Sequence, residues 1–533
     1  MKLLAQIAIL FLVIASGYAR ESIQITMRDG IKLATDLYLP TNNAPVPVIL
    51  GRTPYNKTGL AAVGIDASRR GYAFVAQDAR GRFASQGENL PFDLDLNDGK
   101  DTLEWISKQS WCNGKIGTWG ASAGAINQFQ SMITASDLID SQYLIVGAPS
   151  LYDVIYLDGI FRKNLIETWL QQNKFNASAL ALWVSHPLYD DYWRARDATR
   201  IFKQVRTPAV HIGGYWDIFG QKTIDAFTGY QHQAKEKKVR SAQHLIIGPW
   251  THSVLSDKAG DFTFPNAKNP PGDLDDTWKW FDSTLKGITN GIENSPAVTY
   301  YVVGDLSEKL APGNEWRTAD TWPPIKVKPT PVYLTADFKL SRALPKMPKP
   351  LMYTYHPESP APTVGGIQLT LPAGPKDQQD LERRADVFSF TSDELDHPVE
   401  VTGRVRANLW VASDAPDTDF FATLCDVYPD GRSINLCEGM IRARFREGMD
   451  HETFLKPGKV YPVEIDLWST SVIFNRGHRI RLHITSSSSP GFDVNPNTSA
   501  AFRASSEMQT AHNYIYVDAQ HPSHLLLPFI TPE

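Results

Sequence analysis

The pentapeptide Gly120-Ala121-Ser122-Ala123-Gly124 constrains this chain more than any other segment. Residues 115–119 before it read as a strand, and residues 123–135 after it read as a helix. A serine at so short a strand-to-helix turn is pushed beyond the sheet's end on a strained backbone. Small residues on both sides let strand and helix approach. The helix N-terminus then offers backbone N–H groups and a favourable potential to a developing anion. Gly-x-Ser-x-Gly is common by chance, and it is the flanking strand and helix that give this match meaning. The competing reading is a Gly-Ala-Ser cap in an ordinary αβ turn.

The surrounding pattern fits a layered sheet. Residues 21–27 and 31–39 flank Arg28-Asp29-Gly30, a hairpin signal. Runs 46–50 and 73–77 read as buried strands, with helices predicted over 60–70 and 98–110. Alternation of this kind predicts an α/β sheet. From about 150 to 200 no strand is evident, and aromatic-rich helices at 161–170 and 177–184 read as a helical insertion. Strands return at 209–212 and 244–247, with a helix over 218–237 between them, and a helix over 276–285 closes the region. Beyond 295, short β-type runs at 298–303, 352–355, 407–411, 461–467 and 480–486 alternate with Pro, Gly and Asn turns, the signature of an all-β sandwich.

Composition excludes several function classes. Aromatic residues make up 11% of the chain, which rules out a wholly disordered protein. The 53 basic residues nearly balance 58 acidic ones, so no field exists to hold nucleic acid. Three cysteines exclude a disulfide scaffold and fall short of a structural zinc cluster. Cys425 and Cys437 are spaced for one bridge across a hairpin, the alternative being three buried thiols. Residues 1–19 carry Lys2, an apolar run over 3–15, and the small residues Gly17 and Ala19. They read as a signal peptide cut after Ala19, the alternatives being an uncleaved anchor or a buried first strand. The expectation is an exported protein, periplasmic or extracellular, without stable membrane insertion after cleavage.

A nucleophilic serine needs a base, and the base needs an orienting acid. On a sheet with this elbow the chain order is Ser, then Asp or Glu, then His. His252 follows the strand at 244–247, and Asp217 follows the strand at 209–212. Both loops leave strand carboxyl ends, where open α/β sheets place ligands. His211, inside a strand, and His186, in the insertion, are weaker candidates for the base. An oxyanion site needs two donors. The Ala123 backbone N–H is one. The loop after residue 50 has no run of glycines, so the Tyr55 hydroxyl is the second candidate, unless Tyr55 is merely a rim aromatic.

These motifs in this order resemble the cocaine-esterase and X-Pro dipeptidyl-peptidase-like family of serine hydrolases, which also holds α-amino-acid ester hydrolases and glutaryl-cephalosporin acylases. The resemblance rests on Arg52-Thr53-Pro54-Tyr55, on Gln77-Asp78-Ala79-Arg80-Gly81-Arg82, and on the pentapeptide itself. It rests also on His186-Pro187 with Asp191-Tyr192-Trp193, on Gly214-Tyr215-Trp216-Asp217, and on Gly248-Pro249-Trp250-Thr251-His252. In the second half, Trp322-Pro323-Pro324, Asp417-Thr418-Asp419-Phe420 and Arg442-Ala443-Arg444-Phe445-Arg446 match too, and their charges read as salt-bridged turns of the sandwich.

The resemblance implies an α/β-hydrolase core (residues 20–145 and 206–295), an inserted helical cap (146–205) and a C-terminal jelly roll (296–533). It implies Ser122, Asp217 and His252 as the triad, with Tyr55 and Ala123 as oxyanion donors. Two departures matter. Many relatives carry a tyrosine directly after the nucleophile, where this chain has Ala123. Relatives acting on α-amino-acid esters carry acidic residues just after the triad aspartate, where this chain has Ile218-Phe219-Gly220-Gln221. An apolar wall cannot pair with an ammonium group. Asp190 and Asp191 in the cap read as structural.

The expected reaction is hydrolysis of a small-molecule carboxylic ester or activated amide, with no metal or cofactor. Phe161, Trp169, Trp183, Trp216 and Phe219 are candidate lining of an aryl or alkyl pocket, helix packing being the alternative for each. An Xaa-Pro dipeptidyl-peptidase and a β-lactam acylase stay as rivals, and a binding protein with a degenerate hydrolase domain is a third. A homo-oligomeric state is left open.

Overall fold

The computed structural model describes residues 18–41, 44–324, 327–346, 350–504 and 507–530. The expected leader lies outside these residues except for Tyr18 and Ala19, which open the first strand. Among the described residues no helix is long and apolar enough to cross a membrane.

The first region is built on one ten-stranded sheet. Its strands are β1 (Tyr18–Thr26), β2 (Lys32–Pro40), β3 (Val46–Thr53), β4 (Ala73–Asp78) and β5 (Cys112–Ala121), followed by β6 (Ser141–Ile145), β7 (Ala209–Gly214), β8 (Gln243–Gly248), β9 (Val298–Val302) and β10 (Glu315–Ala319). Their spatial order is β1-β2-β4-β3-β5-β6-β7-β8-β9-β10. From β4 through β3 to β9 the pairing is parallel, with antiparallel strands at both edges. Strands β3, β4, β7 and β8 are buried along their whole length. That is why they read as continuous apolar runs rather than alternating ones. Helices α1 (Ala61–Arg69), α2 (Asp95–Ser107), α3 (Ala123–Ala135), α4 (Gly220–Gln233) and α5 (Thr277–Lys286) cover the sheet.

One strand departs from the sequence reading. Val298–Val302 was expected to open the sandwich, but it pairs in parallel with β8, and Glu315–Ala319 then pairs with it. A short apolar run does not reveal which sheet will take it. β9 and β10 therefore extend the sheet of the first region.

The insertion lies between β6 and β7. Its helices Lys163–Gln172 and Ala177–Val184 are preceded by a short hairpin, Tyr156–Leu157 with Ile160–Phe161, that the sequence reading missed. Phe161 therefore lies in a strand, not in the helix expected from 161. The cap motif is structural. His186 Nδ1 pairs with Asp190 (2.6 Å), the His186 ring stacks on Tyr192, and Asp191 pairs with Arg194.

The last region is an antiparallel sandwich. One sheet is centred on the long strand Val399–Ser413. The other pairs Phe388–Thr391, Arg479–Thr485, Asp419–Val427 and Ser433–Arg442. Inward residues such as Val405, Leu409, Leu424 and Leu482 share one core with Leu245, Ile247 and Tyr300 of the first region. The charged turns are buried ion pairs, with Arg442 bidentate on Asp419 (2.9 Å to each oxygen) and Arg444 on Asp417 (2.8 Å). Cys425 and Cys437 are both free and buried. Leu424 pairs with Cys437 and Cys425 with Asn435 across a bulge. Cys437 thus shares a sheet face with Leu424, and Cys425 points to the other face, so no bridge forms.

Candidate active site

Three loops at the carboxyl end of the sheet converge. Ser122 follows β5 with φ 57° and ψ −121°, a strained backbone for a residue with a side chain. The Ser122 N–H donates to the Ile145 carbonyl (2.9 Å), and the Ser122 carbonyl accepts from Ala125 and Ile126 as α3 begins. An added Cβ at Gly120 would lie 3.0 Å from the Gly124 backbone, so strand and helix meet there without room for a methyl.

Asp217 and His252 sit on the loops after β7 and β8, adjacent parallel strands. The loops are laced together: Tyr215 N–H donates to Gly248 O (3.0 Å) and Trp216 N–H to Trp250 O (3.0 Å). An ideal Cβ on Gly214 would stand 2.2 Å from the Trp250 carbonyl oxygen, so this approach requires glycine. Asp217 is fully buried, and its Oδ1 accepts from His252 Nδ1–H at 2.6 Å. That bond leaves His252 Nε2 to accept from the Ser122 hydroxyl at 2.9 Å. The Phe219 ring meets the imidazole edge to face at 5.7 Å. The weaker histidines are elsewhere. His211 is buried inside β7, and burial pushes its imidazole down to about 3, so it is a neutral core residue.

Two donors face the serine. Ala123 is the first residue of α3, so its N–H has no carbonyl one turn back to bond. Tyr55 lies just after β3. The residue is 40% exposed, while its hydroxyl accepts a hydrogen bond from Trp169 Nε1 (2.9 Å) and faces the Ser122 side chain. Burial of the hydroxyl pushes the Tyr55 phenol above its usual value, partly offset by the Trp169 N–H and the nearby Ser122 hydroxyl. It stays protonated at neutral pH and able to donate.

A cavity opens on Ser122. Trp169, Trp183 and Phe219 line it, as the sequence reading expected. Ile218, named there as an apolar wall, does too. Phe161 and Trp216 do not. Phe161 is buried against Tyr156 and Phe502 in the cap core, and Trp216 stacks on Phe264 in the core shared with the sandwich. Sequence reasoning missed Phe92, Ile126, Val154, Ile155, Leu165, Ile166 and Leu369. Leu165, Ile166 and Trp169 form a helical i, i+1, i+4 stripe that could have been found. Leu369 comes from the sandwich region, and no local pattern points to it. Among the described residues no charged side chain lines this cavity. Asp190 and Asp191 are spent on cap contacts.

Known proteins resemble this chain over nearly its whole length. The profile of the X-Pro dipeptidyl-peptidase (S15) family matches residues 29–181 and 170–254. That of the X-Pro dipeptidyl-peptidase C-terminal non-catalytic domain matches residues 290–526. The chain is 33% identical to cocaine esterase from Rhodococcus sp. (strain MB1 Bresler), over 96% of this chain and 98% of that protein. It belongs to the CocE/NonD family of serine hydrolases. Solved structures share the fold. An aminopeptidase from a marine sediment Thaumarchaeota archaeon superposes with a TM-score of 0.81 at 22% identity, covering 100% of this chain and 98% of that one. A CocE/NonD hydrolase from Staphylococcus aureus gives 0.74 at 21% identity, covering 96% and 94%. Like its relatives, this member of the family is a hydrolase.

Proposed function

We propose that this CocE/NonD hydrolase cleaves carboxylic esters with a bulky uncharged acyl group, through an acyl-enzyme on Ser122. One observation carries the reading: the Asp217–His252–Ser122 hydrogen-bond chain opens directly on a cavity lined, among the described residues, by no charged side chain. His252 takes the Ser122 proton as Oγ attacks the carbonyl carbon. The Tyr55 O–H and Ala123 N–H hold the oxygen as it becomes negative. His252 then gives the proton to the departing alcohol, and water repeats the sequence to free the acid. Asp217 fixes the imidazole tautomer and stabilises the imidazolium.

The apolar cavity favours this reading over the peptidase one. An Xaa-Pro dipeptide leaves its free ammonium inside the enzyme, and a buried cation without a carboxylate is costly. A panel of p-nitrophenyl esters of rising acyl size, proline p-nitroanilides, amino-acid esters and cephalosporin amides separates the readings. Benzoate- or hexanoate-type esters are expected to lead. Faster release from Gly-Pro-p-nitroanilide would establish the peptidase instead. Ser122→Ala should fold with an unchanged melting temperature and lose nearly all turnover, and undiminished turnover in a clean preparation would end the account.

The leader reading belongs to the same proposal. Cleavage after Ala19 leaves Arg20 to Thr26 for pairing with β2, including the Arg20–Asp36 ion pair (2.9 Å). Terminal sequencing of the exported protein should begin at Arg20, and a native protein that retains residues 1–19 in the cytoplasm refutes export.

A further inference from the structure

A phenol has one proton to donate and two lone pairs that accept. Beside a serine nucleophile this is ambiguous. Tyr55 can donate to the substrate's oxygen, or its own oxygen can accept the Ser122 proton and compete with His252. The surroundings of Tyr55 bias the choice. Trp169 Nε1 donates to the Tyr55 oxygen at 2.9 Å, and the two rings meet edge to face at 6.4 Å and 90°. An indole N–H can only donate. It therefore occupies one of the two lone pairs of Tyr55, and the phenol proton has to point away from Trp169. A hydroxyl that already accepts a bond is polarised into a stronger donor.

The Trp169 ring is firmly held. It stacks on Phe92 (5.8 Å, 6°) and against Phe175 (4.7 Å). Arg82 ties the two partners' segments together. Its Nε donates to Pro54 O (2.8 Å), next to Tyr55, its Nη2 donates to Asn173 O (2.8 Å) just past the Trp169 helix, and its guanidinium covers Phe175 at 4.3 Å. Asn173 in turn donates from Nδ2 to the Trp169 carbonyl (2.9 Å). Cap and core are thus clamped around one hydrogen bond, from Trp169 to Tyr55, beside the serine.

We propose that Trp169 is a positioning residue for Tyr55: its indole N–H sets the phenol proton toward the substrate's carbonyl oxygen beside Ser122. This rests on the reading of Tyr55 as an oxyanion donor. It adds that a cap residue, through its N–H and not its apolar surface, sets the strength of that donor.

The test is a double-mutant cycle on a p-nitrophenyl ester. Trp169 is replaced by benzothienylalanine, which keeps the ring and its stacking but lacks the N–H. Tyr55→Phe removes the hydroxyl, and the fourth protein carries both changes. Tyr55→Phe alone should lower kcat by about 10²- to 10³-fold, the usual effect of one oxyanion donor. The benzothienyl protein should lose about three- to tenfold in kcat, the size of one neutral hydrogen bond, with KM within twofold. In the Tyr55→Phe background the same replacement should cost nothing. If it costs as much there as in the native background, or if KM rises while kcat holds, Trp169 acts as pocket wall alone and the proposal is overturned. If Tyr55→Phe keeps full kcat, the underlying reading of Tyr55 fails, a result distinct from additivity. Trp169→Phe, which also lacks the donor, repeats the comparison with natural residues.

Discussion

Gly214→Ala tests whether the acid and base loops are held at their closest sterically allowed approach. The backbone of Gly214 does not lie in the left-handed region, so an alanine there meets no torsional penalty and its effect is purely one of contact. The new methyl would stand 2.2 Å from the Trp250 carbonyl oxygen, 2.7 Å from its carbon and 2.8 Å from its Cβ. Ordinary contact between such atoms is about 3.5 Å, so the loops must part by roughly 1 Å. Both sides of that gap are near the chemistry, since Asp217 follows Gly214 by three residues and His252 follows Trp250 by two. The Trp216–Trp250 backbone bond spans the same gap. A displacement of about 1 Å in a reacting array costs on the order of 10²-fold. Overpacking of this kind costs about 1–3 kcal/mol in stability, which a folded domain survives. The expectation is a melting temperature lowered by a few degrees, kcat down at least about 10²-fold, and labelling of Ser122 by a fluorophosphonate slowed in parallel. Gly124→Ala is the control. Its methyl would meet the Arg52 carbonyl at 3.4 Å, an ordinary contact, so kcat should change by less than about threefold. If Gly214→Ala keeps kcat within threefold of the parent, the steric account of the two loops is wrong.

Two further outcomes follow from particular contacts. Leu369→Ala removes a wall residue supplied by the sandwich, so KM for a bulky benzoate ester should rise about five- to tenfold, in line with the loss of a buried aliphatic side chain, while an acetate ester is unaffected. An equal effect on both esters refutes a role in the acyl wall. Glu382 accepts from Arg481 (2.5 Å) and His483 (2.8 Å); burial alone would push its carboxyl up, but the His483 bond and neighbouring donors outweigh burial and hold it down to about 2. A depressed carboxylate stabilises the fold fully above its ordinary value of about 4.5 and ceases to do so as pH falls through about 2. Glu382→Gln should therefore melt lower than the parent at pH 7, with the gap closing between pH 4.5 and 2; a gap independent of pH removes the carboxylate from the explanation.

The sequence made the reacting groups legible because each is tied to a local device. Ser122, Asp217 and His252 all leave the carboxyl ends of buried apolar strands, and glycines mark where the loops must approach. The pocket was less legible, because an aromatic residue's usefulness depends on which way its element turns. Trp169 and Trp183 point from cap helices to the cavity, whereas Phe161 falls in a hairpin and turns into the cap core. Trp216, one residue before Asp217, is directed to the opposite side of the loop against Phe264. Leu369 was beyond reach for a different reason: its part in the site depends on how one whole region packs on another. The same holds for Val298–Val302, whose sheet is decided by the vacant parallel edge of β8.

That packing bears on what the sandwich contributes. None of the proposed triad comes from it, yet it cannot be separated cleanly from the chemistry. Ile367 N–H donates to Glu438 (2.8 Å), which fixes the segment leading to Leu369. Glu438 is buried, and burial pushes its carboxyl up to about 7, against the pull of the Ile367 N–H and the nearby Arg162 guanidinium. Arg162 opens the cap helix that carries Leu165, Ile166 and Trp169, and it donates to the Ile218 carbonyl (3.0 Å), one residue beyond Asp217. Burial pulls Arg162 down to about 10, while Asp217 and Glu438 favour its charge. A buried cation thus stands between the acid of the core, the carboxyl of the sandwich and the start of the cap helix. Replacing Arg162 would leave the Ile218 carbonyl without its donor and the two carboxyls without a nearby positive charge in a dry interior. The three regions are therefore coupled by charge as well as by shape, and the apolar cavity keeps its form only where all three meet.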